Sequence, residues 1–270
     1  MICLELGDFD IGQILECGQV FRFVRLGDGH YEIVAFGRVL QIEQSGGNVK
    51  FWYPHGELDE LEFAAVWRPY FDLDRDYGAI KALLCADPIM EGAINFAPGI
   101  RILRQNPWET IISFIISQNN RIPQIQRVIA NICEAFGEAI PGGRAFPMPE
   151  ALAAATPADL RRCKTGFRDK YIIAAARAYL AGIRHGDSVA LRAIPGIGEK
   201  VAHCIMLFGY GQHDSFPVDV WVRRAMSRLY FKDAPTTPKD IQTLAQSKFG
   251  QYAGFAQQYL FHYIRSNPQA

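Results

Sequence analysis

The sequence predicts an α+β protein in which an N-terminal antiparallel β-sheet module packs on a two-part all-helical body. Its first third is rich in β-branched and aromatic residues separated by glycine turns, which is typical of strands. From about Leu61 onward, apolar residues recur three and four positions apart, which is typical of helices with one buried face. The charge changes too, because residues 1–98 contain 7 basic and 16 acidic side chains, whereas residues 99–270 contain 21 and 12.

The N-terminal module is predicted to contain one short helix and four strands. The helix covers about residues 11–17 and ends at Gly18, since glycine commonly follows a helix. The strands are predicted at residues 20–24, 31–36, 38–43 and 49–53. We expect them to form an antiparallel sheet with one covered face.

The helical body is predicted to contain eight helices punctuated by glycine and proline. They are expected at residues 108–117, 123–136, 151–155, 169–183, 199–210, 220–230, 238–249 and 252–264. Charge and periodicity change together near Pro98 and Gly99. We therefore predict domains at residues 1–98, 99–190 and 191–270.

The composition argues against several classes of protein. The six cysteines and six histidines show no metal-ligand spacing, so no metal and no cofactor are expected. No apolar run reaches the roughly 18–20 residues that span a bilayer, and the acidic N-terminus does not resemble a signal peptide. We expect a soluble, intracellular monomer, which would be located in the cytoplasm or nucleoid if the source is a prokaryote. The basic C-terminal two-thirds suggests a polyanionic partner, although two subdomains can also differ in charge by chance.

The stretch IPGIGEKVAHC at residues 194–204 is a helix–hairpin–helix signature. Gly196 and Gly198 allow a tight turn with no side chain in front of the backbone. The free N–H groups at the start of the next helix, up to that of Val201, can then bind a phosphate, while the two isoleucines anchor the hairpin. The pattern predicts contact with a DNA backbone, and a plain turn between helices is the alternative.

Lys200 stands in the first turn of this helix, where the helix dipole disfavours a cation. It borders the buried stripe and lies one turn before Cys204, so partial desolvation would favour the neutral, nucleophilic amine. Asp219 precedes the helix at residues 220–230 and fits an N-cap. If the chain returns Asp219 to Lys200, an amine and a carboxylate share one site. Otherwise Lys200 contacts phosphate and Asp219 only caps its helix.

At this point the sequence resembles a known family. GIGEKVAHCI followed by FPVDV is similar to the active-site segment of the helix–hairpin–helix DNA glycosylases, and the spacing of Lys200, Cys204 and Asp219 most resembles the 8-oxoguanine DNA glycosylase/AP lyase branch. Four further stretches are similar to segments of that family, at residues 16–23, 99–120, 165–172 and 249–261.

The resemblance implies a base-excision repair enzyme whose partner is double-stranded DNA containing 8-oxoguanine. The damaged nucleotide would be flipped out of the duplex into a pocket. Lys200 would attack C1′ and form a Schiff base, from which the 3′ phosphate is then eliminated. Asp219 would stabilise the positive charge that develops on the sugar. This chemistry requires neither a metal nor a cofactor.

The base pocket is indicated by one polar residue in an apolar stripe. Gln257 stands among apolar residues of the last helix, and a buried amide without a partner costs roughly 1–3 kcal/mol. The resemblance implies that Gln257 reads the Watson–Crick edge of the flipped base, that Phe261 and Cys204 cover its two faces, and that the Gly18 carbonyl accepts N7–H. Because one hydrogen bond decides between lesion and guanine, a Lys200 cation with a Cys204 thiolate is a further option. Otherwise Gln257 bonds a neighbouring backbone group and Phe261 is a core residue.

A second group of residues is implied to contact the DNA where the base has left. Asn119, followed by Asn120, would fill the gap and contact the orphaned partner base. Phe167 would wedge beside that base with support from Arg168, and Gln124 lies at another contact position. Without the resemblance, these residues read as a helix cap and as packing residues.

The sequence departs from the family pattern at several of these positions. Animal members usually have arginine at the position of Gln124, tyrosine at Phe167, asparagine at Arg121 and histidine at Trp221. The first two contact the opposite cytosine, so we predict weaker discrimination of the opposite base. The role of Trp221 at a phosphate stays open.

Two other functions remain alternatives. A monofunctional alkyl-base glycosylase shares the fold, but such enzymes lack the lysine. A non-catalytic DNA-binding module would use the hairpin alone, and it would leave Gln257, Asp219 and Cys204 without a shared explanation.

Overall fold

The N-terminal module is a five-stranded antiparallel sheet. The computed structural model describes residues 1–183 and 186–267. The strands are β1 (Ile2–Glu5), β2 (Phe23–Gly27), β3 (His30–Ala35), β4 (Arg38–Ser45) and β5 (Asn48–Trp52). They lie in the order β1-β5-β4-β3-β2, with every neighbouring pair antiparallel. The predicted fold class is therefore confirmed for this module.

Two strands differ from the sequence prediction. β1 was not predicted because four residues carry too little periodicity, and it exists through pairing with β5, where Ile2 lies opposite Phe51. β2 begins at Phe23 rather than at residue 20, because Val20 and Phe21 are buried ahead of the strand. Tertiary contacts therefore decide that β1 forms and where β2 begins.

One face of the sheet is covered. Side chains on β3 alternate between buried and half-buried, and Tyr31, Ile33 and Ala35 point inward. The helix Ile11–Glu16 packs its buried residues into the same hydrophobic core. Asp10 starts this helix, since its side chain accepts the backbone N–H of Gln13.

The rest of the described chain is mainly helical. Longer helices are Tyr77–Leu84, Pro88–Phe96, Pro107–Ser117, Ile122–Phe136, Asp169–Leu180, Glu199–Tyr210, Val220–Phe231, Pro238–Phe249 and Ala253–Ser266. Shorter elements are the helices Glu60–Glu62, Arg68–Tyr70, Pro149–Ala154, Pro157–Arg162 and Ser188–Arg192, a π-helical turn at Phe63–Trp67, and a small hairpin of Ala139–Ile140 with Gly143–Arg144. All eight predicted helices are present, with ends shifted by three residues or fewer.

The described chain has two hydrophobic cores. One core lies under the sheet, and the larger core fills the helical body. Tyr77 and the buried residues of Pro88–Phe96 belong to the larger core. The domain boundaries at residues 98 and 190 stay predictions of the sequence. Within residues 1–183 and 186–267, no helix is both long and apolar enough to cross a membrane.

Gln19 joins the two cores through buried hydrogen bonds. Its Nε2 donates to the carbonyls of Ile14 at 2.9 Å and Arg101 at 2.8 Å, and its Oε1 accepts the N–H of Leu103 at 2.9 Å. The side chain of Gln19 is fully buried. The Arg101 guanidinium lies 4.1 Å from the ring centroid of Tyr77, so sheet module and helical body are fixed to each other here.

We predict that Gln19→Leu lowers the free energy of unfolding by about 2–3 kcal/mol, because it leaves buried backbone groups of Arg101 and Leu103 without partners. Urea denaturation measures this change. Gln41→Leu is the control, since the side chain of Gln41 donates a hydrogen bond to the half-buried carboxylate of Glu32 at 2.9 Å. This substitution should lower the free energy of unfolding by less than about 1 kcal/mol. Equal losses for the two variants would contradict the structural role of Gln19.

Candidate active site

The glycine hairpin connects the helix Ser188–Arg192 to Glu199–Tyr210, here termed the lysine helix. Gly196 has φ +89°, and a β-carbon at this position would overlap the ring of Tyr171. Both conformation and space therefore require glycine at residue 196. Gly198 is the N-cap of the lysine helix, with a φ of −86° that other residues also adopt. A β-carbon at Gly198 would have no atom within 4 Å, so glycine here leaves the backbone of the hairpin accessible to a ligand.

The hairpin presents backbone N–H groups to its surroundings. Ile194 and Ile197 are buried and anchor it in the core. The first N–H groups of the lysine helix have no acceptor within the helix, which makes them available to an anion. The side chain of Val201 is only 3% exposed, so Val201 can contact such an anion only through its backbone N–H.

Lys200, Cys204 and Asp219 come together beside the hairpin. Lys200 is half-buried, and its Nζ lies 5.5 Å from the ring centroid of Phe114. Lys200 acts electrostatically on both Cys204 and Asp219. The structure thus places an amine, a thiol and a carboxylate in one site, next to an aromatic ring that stabilises a cation.

Asp219 has two roles that do not exclude each other. It is the N-cap of the helix Val220–Phe231, and its side chain accepts the N–H of Val222 at 2.7 Å. Burial raises the pKa of Asp219 above its ordinary value, although this hydrogen bond and the charges of Lys200 and Arg265 act in the opposite direction. The cap holds the carboxylate in place at the amine.

Burial acts against the Cys204 thiolate that we considered from the sequence. It raises the pKa of the Cys204 thiol above its ordinary value, and the nearby charge of Lys200 only partly offsets this. The direction of the shift favours the protonated thiol. The Lys200 cation paired with a Cys204 thiolate stays an untested option of the sequence.

Three residues that the resemblance assigns to base recognition lie on or against the helix Ala253–Ser266, here termed the pocket helix. Gln257 is 4% exposed, and its Oε1 has no hydrogen-bond partner in the described part of the chain. Phe261 follows one turn later and is half-buried. Gly18 lies against it, because a β-carbon at Gly18 would be 3.1 Å from Phe261 Cε1. Residues from both ends of the chain thus lie against each other here.

Two polar residues of the pocket helix were missed in the sequence. Gln258 is buried, and its Nε2 donates to the Cys17 carbonyl at 2.9 Å. Arg265 stacks on Phe261, with Cζ 5.3 Å from the ring centroid, and donates to the Glu16 carbonyl. Polar residues next to an apolar stripe are usually interpreted as surface positions. Only the four-residue spacing from Gln257 through Phe261 to Arg265 could have indicated Arg265.

The second predicted group forms another cluster. Asn119 has φ +48°, and Asn119, Asn120 and Gln124 line a shared depression with Arg121. Gln118 Nε2 donates to the Gly196 carbonyl at 2.9 Å. This cluster is therefore fixed directly to the hairpin.

Phe167 and Arg168 lie beside this cluster. The ring of Phe167 is 57% exposed, whereas Arg168 is 7% exposed and lies 4.4 Å below that ring. Arg168 also donates to the backbone carbonyls of Gln118 and Asn119. An exposed aromatic ring with a buried cationic support is held rigidly at the surface.

Trp221 lies at the start of the aspartate-capped helix and stacks with a surface arginine. Arg224 Cζ is 5.6 Å from its ring centroid, and both line a depression that ends at Ile264 of the pocket helix. Among the described residues, no group of three or more His, Cys, Asp and Glu side chains is placed to hold a metal.

A cleft of about 750 Å³ lies elsewhere, between the sheet and the helix Ile122–Phe136. It is lined by Arg22 and Arg127 among others, and none of the residues predicted for the site takes part. The convergence of chemistry around Lys200, rather than cleft size, identifies the candidate site.

Comparisons with known proteins give matches over most of the chain. Residues 1–111 match the family model for the 8-oxoguanine DNA glycosylase N-terminal domain, and residues 112–251 match that for the HhH-GPD superfamily of base excision DNA repair proteins. The N-glycosylase/DNA lyase of Saccharomyces cerevisiae is 35% identical, over 96% of this chain and 84% of the yeast protein.

Solved structures are similar as well. The Clostridium acetobutylicum 8-oxoguanine glycosylase/lyase, in complex with DNA containing cytosine opposite 8-oxoguanine, has a TM-score of 0.90 and 40% identity over 97% of this chain and 93% of its own. The 3-methyladenine DNA glycosylase of Archaeoglobus fulgidus, at a TM-score of 0.79 and 22% identity over the full length of both chains, shares the fold alone.

We predict that Cys204 resists alkylation at pH 7, because it is buried and burial raises the pKa of its thiol. Iodoacetamide labelling followed by peptide mass spectrometry measures the rate. Exposed Cys3 is the internal control and should react at least about tenfold faster. Labelling of Cys204 as fast as Cys3 would support the thiolate interpretation.

Proposed function

The chain belongs to the 8-oxoguanine DNA glycosylases of the HhH-GPD superfamily, and we propose that it excises 8-oxoguanine from duplex DNA and then cleaves the abasic strand. The family assignment made from the sequence is confirmed. The single observation that supports the mechanism is that Lys200 lies near enough to Asp219 to act on its carboxylate, and buried Gln257 adds an Oε1 with no partner in the described part of the chain.

Lys200 acts as the nucleophile in this proposal. The amine attacks C1′ of the flipped nucleotide, the N-glycosidic bond breaks, and its electron pair leaves with the base. Opening of the sugar ring gives a Schiff base between Lys200 Nζ and C1′. Loss of a C2′ proton then eliminates the 3′ phosphate.

Asp219 stabilises the positive charge that develops on the sugar during attack. Its position is supported by the cap hydrogen bond to Val222, which fixes one side of the carboxylate. A fixed carboxylate in a partly desolvated site stabilises such a charge more strongly than a solvated one. Burial raises the pKa of Asp219, and the positive charge of Lys200 partly offsets this effect.

The base is recognised in the pocket between Gly18 and the pocket helix. The unpaired Oε1 of Gln257 accepts from the Watson–Crick edge, which supplies its missing partner. Phe261 covers one face of the base and Cys204 the other. The Gly18 carbonyl accepts N7–H, which 8-oxoguanine has and guanine lacks.

The hairpin and the second cluster hold the DNA. Backbone N–H groups from Gly196 to Val201 bind phosphates of the damaged strand. Asn119 and Asn120 occupy the gap, and Phe167, supported by Arg168, wedges beside the orphaned base. These roles follow from the exposure of Phe167 and the buried anchoring of Arg168.

An alkyl-base glycosylase and a non-catalytic DNA-binding protein remain the alternatives from the sequence. Only the fold is shared with the 3-methyladenine enzyme, and neither alternative uses an amine and a carboxylate together. The intracellular location, the monomeric state and the domain boundaries remain predictions of the sequence.

We predict that borohydride traps a covalent complex between this protein and a duplex containing 8-oxoguanine, because hydride reduces the Schiff base on Lys200. Lys200→Gln should lower trapping by at least about 100-fold. Lys239→Gln is a matched control, since exposed Lys239 is also the second residue of a helix, Pro238–Phe249. Gel electrophoresis measures the complex. Undiminished trapping by Lys200→Gln would exclude Lys200 as the nucleophile.

We predict weak discrimination of the opposite base. Gln124 and Phe167 lack the charge and the hydroxyl that arginine and tyrosine offer to cytosine in the animal members. Single-turnover excision opposite C, A, G and T should therefore differ by less than about tenfold, which is the effect of one modest hydrogen bond. Gln124→Arg combined with Phe167→Tyr should increase the preference for C. A strong preference for C in the unmodified protein would contradict this expectation.

A further inference from the structure

Arg265 lies between the pocket helix and the turn that carries Gly18. It lies in the last turn of the pocket helix, two turns after Gln257 and one turn after Phe261. Its guanidinium stacks on the Phe261 ring, and its Nη2 donates to the Glu16 carbonyl. The guanidinium therefore bridges the pocket helix and the turn that carries Gly18.

The second terminal nitrogen of Arg265 is directed at Gly18. A β-carbon at Gly18 would lie 2.9 Å from Arg265 Nη1. In the described part of the chain, Nη1 is buried and has no hydrogen-bond partner. A buried donor without an acceptor is costly, so a ligand that brings an oxygen to this point gains a hydrogen bond that the free protein lacks.

The position of Arg265 Nη1 beside Gly18 suits a contact with O8 of 8-oxoguanine. The Gly18 carbonyl is the proposed acceptor for N7–H, and O8 is bonded to the ring carbon next to N7. We propose that Arg265 Nη1 donates a hydrogen bond to O8, so that Gly18 and Arg265 together read the two groups that distinguish 8-oxoguanine from guanine. This inference rests on the proposed function, because it needs the lesion to sit against Gly18.

The pair would raise specificity in two ways. Guanine carries C8–H instead of the carbonyl, so Nη1 stays unpaired when guanine enters. Guanine also presents the N7 lone pair to the Gly18 carbonyl, which repels it. A site built to pair a group rejects an analogue that lacks it more strongly than a merely apolar pocket does.

Arg265→Leu should lower single-turnover excision of 8-oxoguanine by about 10–100-fold, the range of a hydrogen bond to a charged donor. Strand cleavage at a preformed abasic site should fall much less than excision does, because that substrate has no base to read and the charge of Arg265 is the smallest of the effects that act on Asp219. Arg177→Leu is the matched control, since Arg177 is an exposed arginine in the last turn of Asp169–Leu180. It should leave both activities unchanged.

A crystal structure of Lys200→Gln bound to a duplex with 8-oxoguanine separates contact from a structural role. Arg265 Nη1 within about 3.2 Å of O8 supports the proposal, and a guanidinium directed at a phosphate or away from the base overturns it. An equal loss of abasic-site cleavage in Arg265→Leu would also overturn it, because it would indicate a backbone contact or damage to the fold.

The wild-type protein separates this inference from the proposed function. If wild-type protein gives no borohydride-trapped complex with the lesion, the proposed function itself fails. If it is trapped and Arg265→Leu excises 8-oxoguanine as fast as wild type, only the role of Arg265 is excluded.

Discussion

The hydrogen bond from Gln258 Nε2 to the Cys17 carbonyl joins two segments that lie 241 residues apart. It holds the turn that carries Gly18 against the pocket helix. Arg265 reinforces this attachment at the Glu16 carbonyl. A carbonyl that must recognise one proton on a base needs such rigid support, since small displacements weaken a hydrogen bond steeply. The sheet module is thus part of the base site as well as of the scaffold.

A second constraint couples the two DNA-contacting clusters. Gln118 bonds the Gly196 carbonyl, and buried Arg168 bonds the backbone of Gln118 and Asn119 while it stacks under Phe167. The hairpin that is proposed to bind one strand and the side chains that are proposed to face the orphaned base are therefore held together by direct contacts. Flipping a nucleotide costs a few kcal/mol of stacking and pairing, and a rigid wedge supplies replacement contacts without an ordering cost of its own.

The sequence predicted the helices well, because each of them has a local cause: an apolar stripe, a capping Asp, Asn or Thr, or a terminal glycine. It missed β1, whose pairing with β5 is a long-range contact. It also missed several helices of nine residues or fewer, among them Tyr77–Leu84, Pro88–Phe96, Pro157–Arg162 and Ser188–Arg192. Among the pocket residues, Gln257 was identified because it interrupts an apolar stripe. Arg265 was not, because an arginine in a last helical turn usually interacts with the helix dipole or with solvent.

The sequence by itself determined the family, the α+β class and the hairpin, since motifs and periodicity are properties of neighbouring residues. It also singled out Lys200 and Asp219 as candidate catalytic residues. The tertiary structure decided the burial of Cys204, the placement of Gly18 against Phe261, and the approach of Arg265 to that glycine. These features depend on contacts between distant segments. Desolvation depends on everything that packs around a group, so no local pattern could have indicated that burial raises the pKa of the Cys204 thiol.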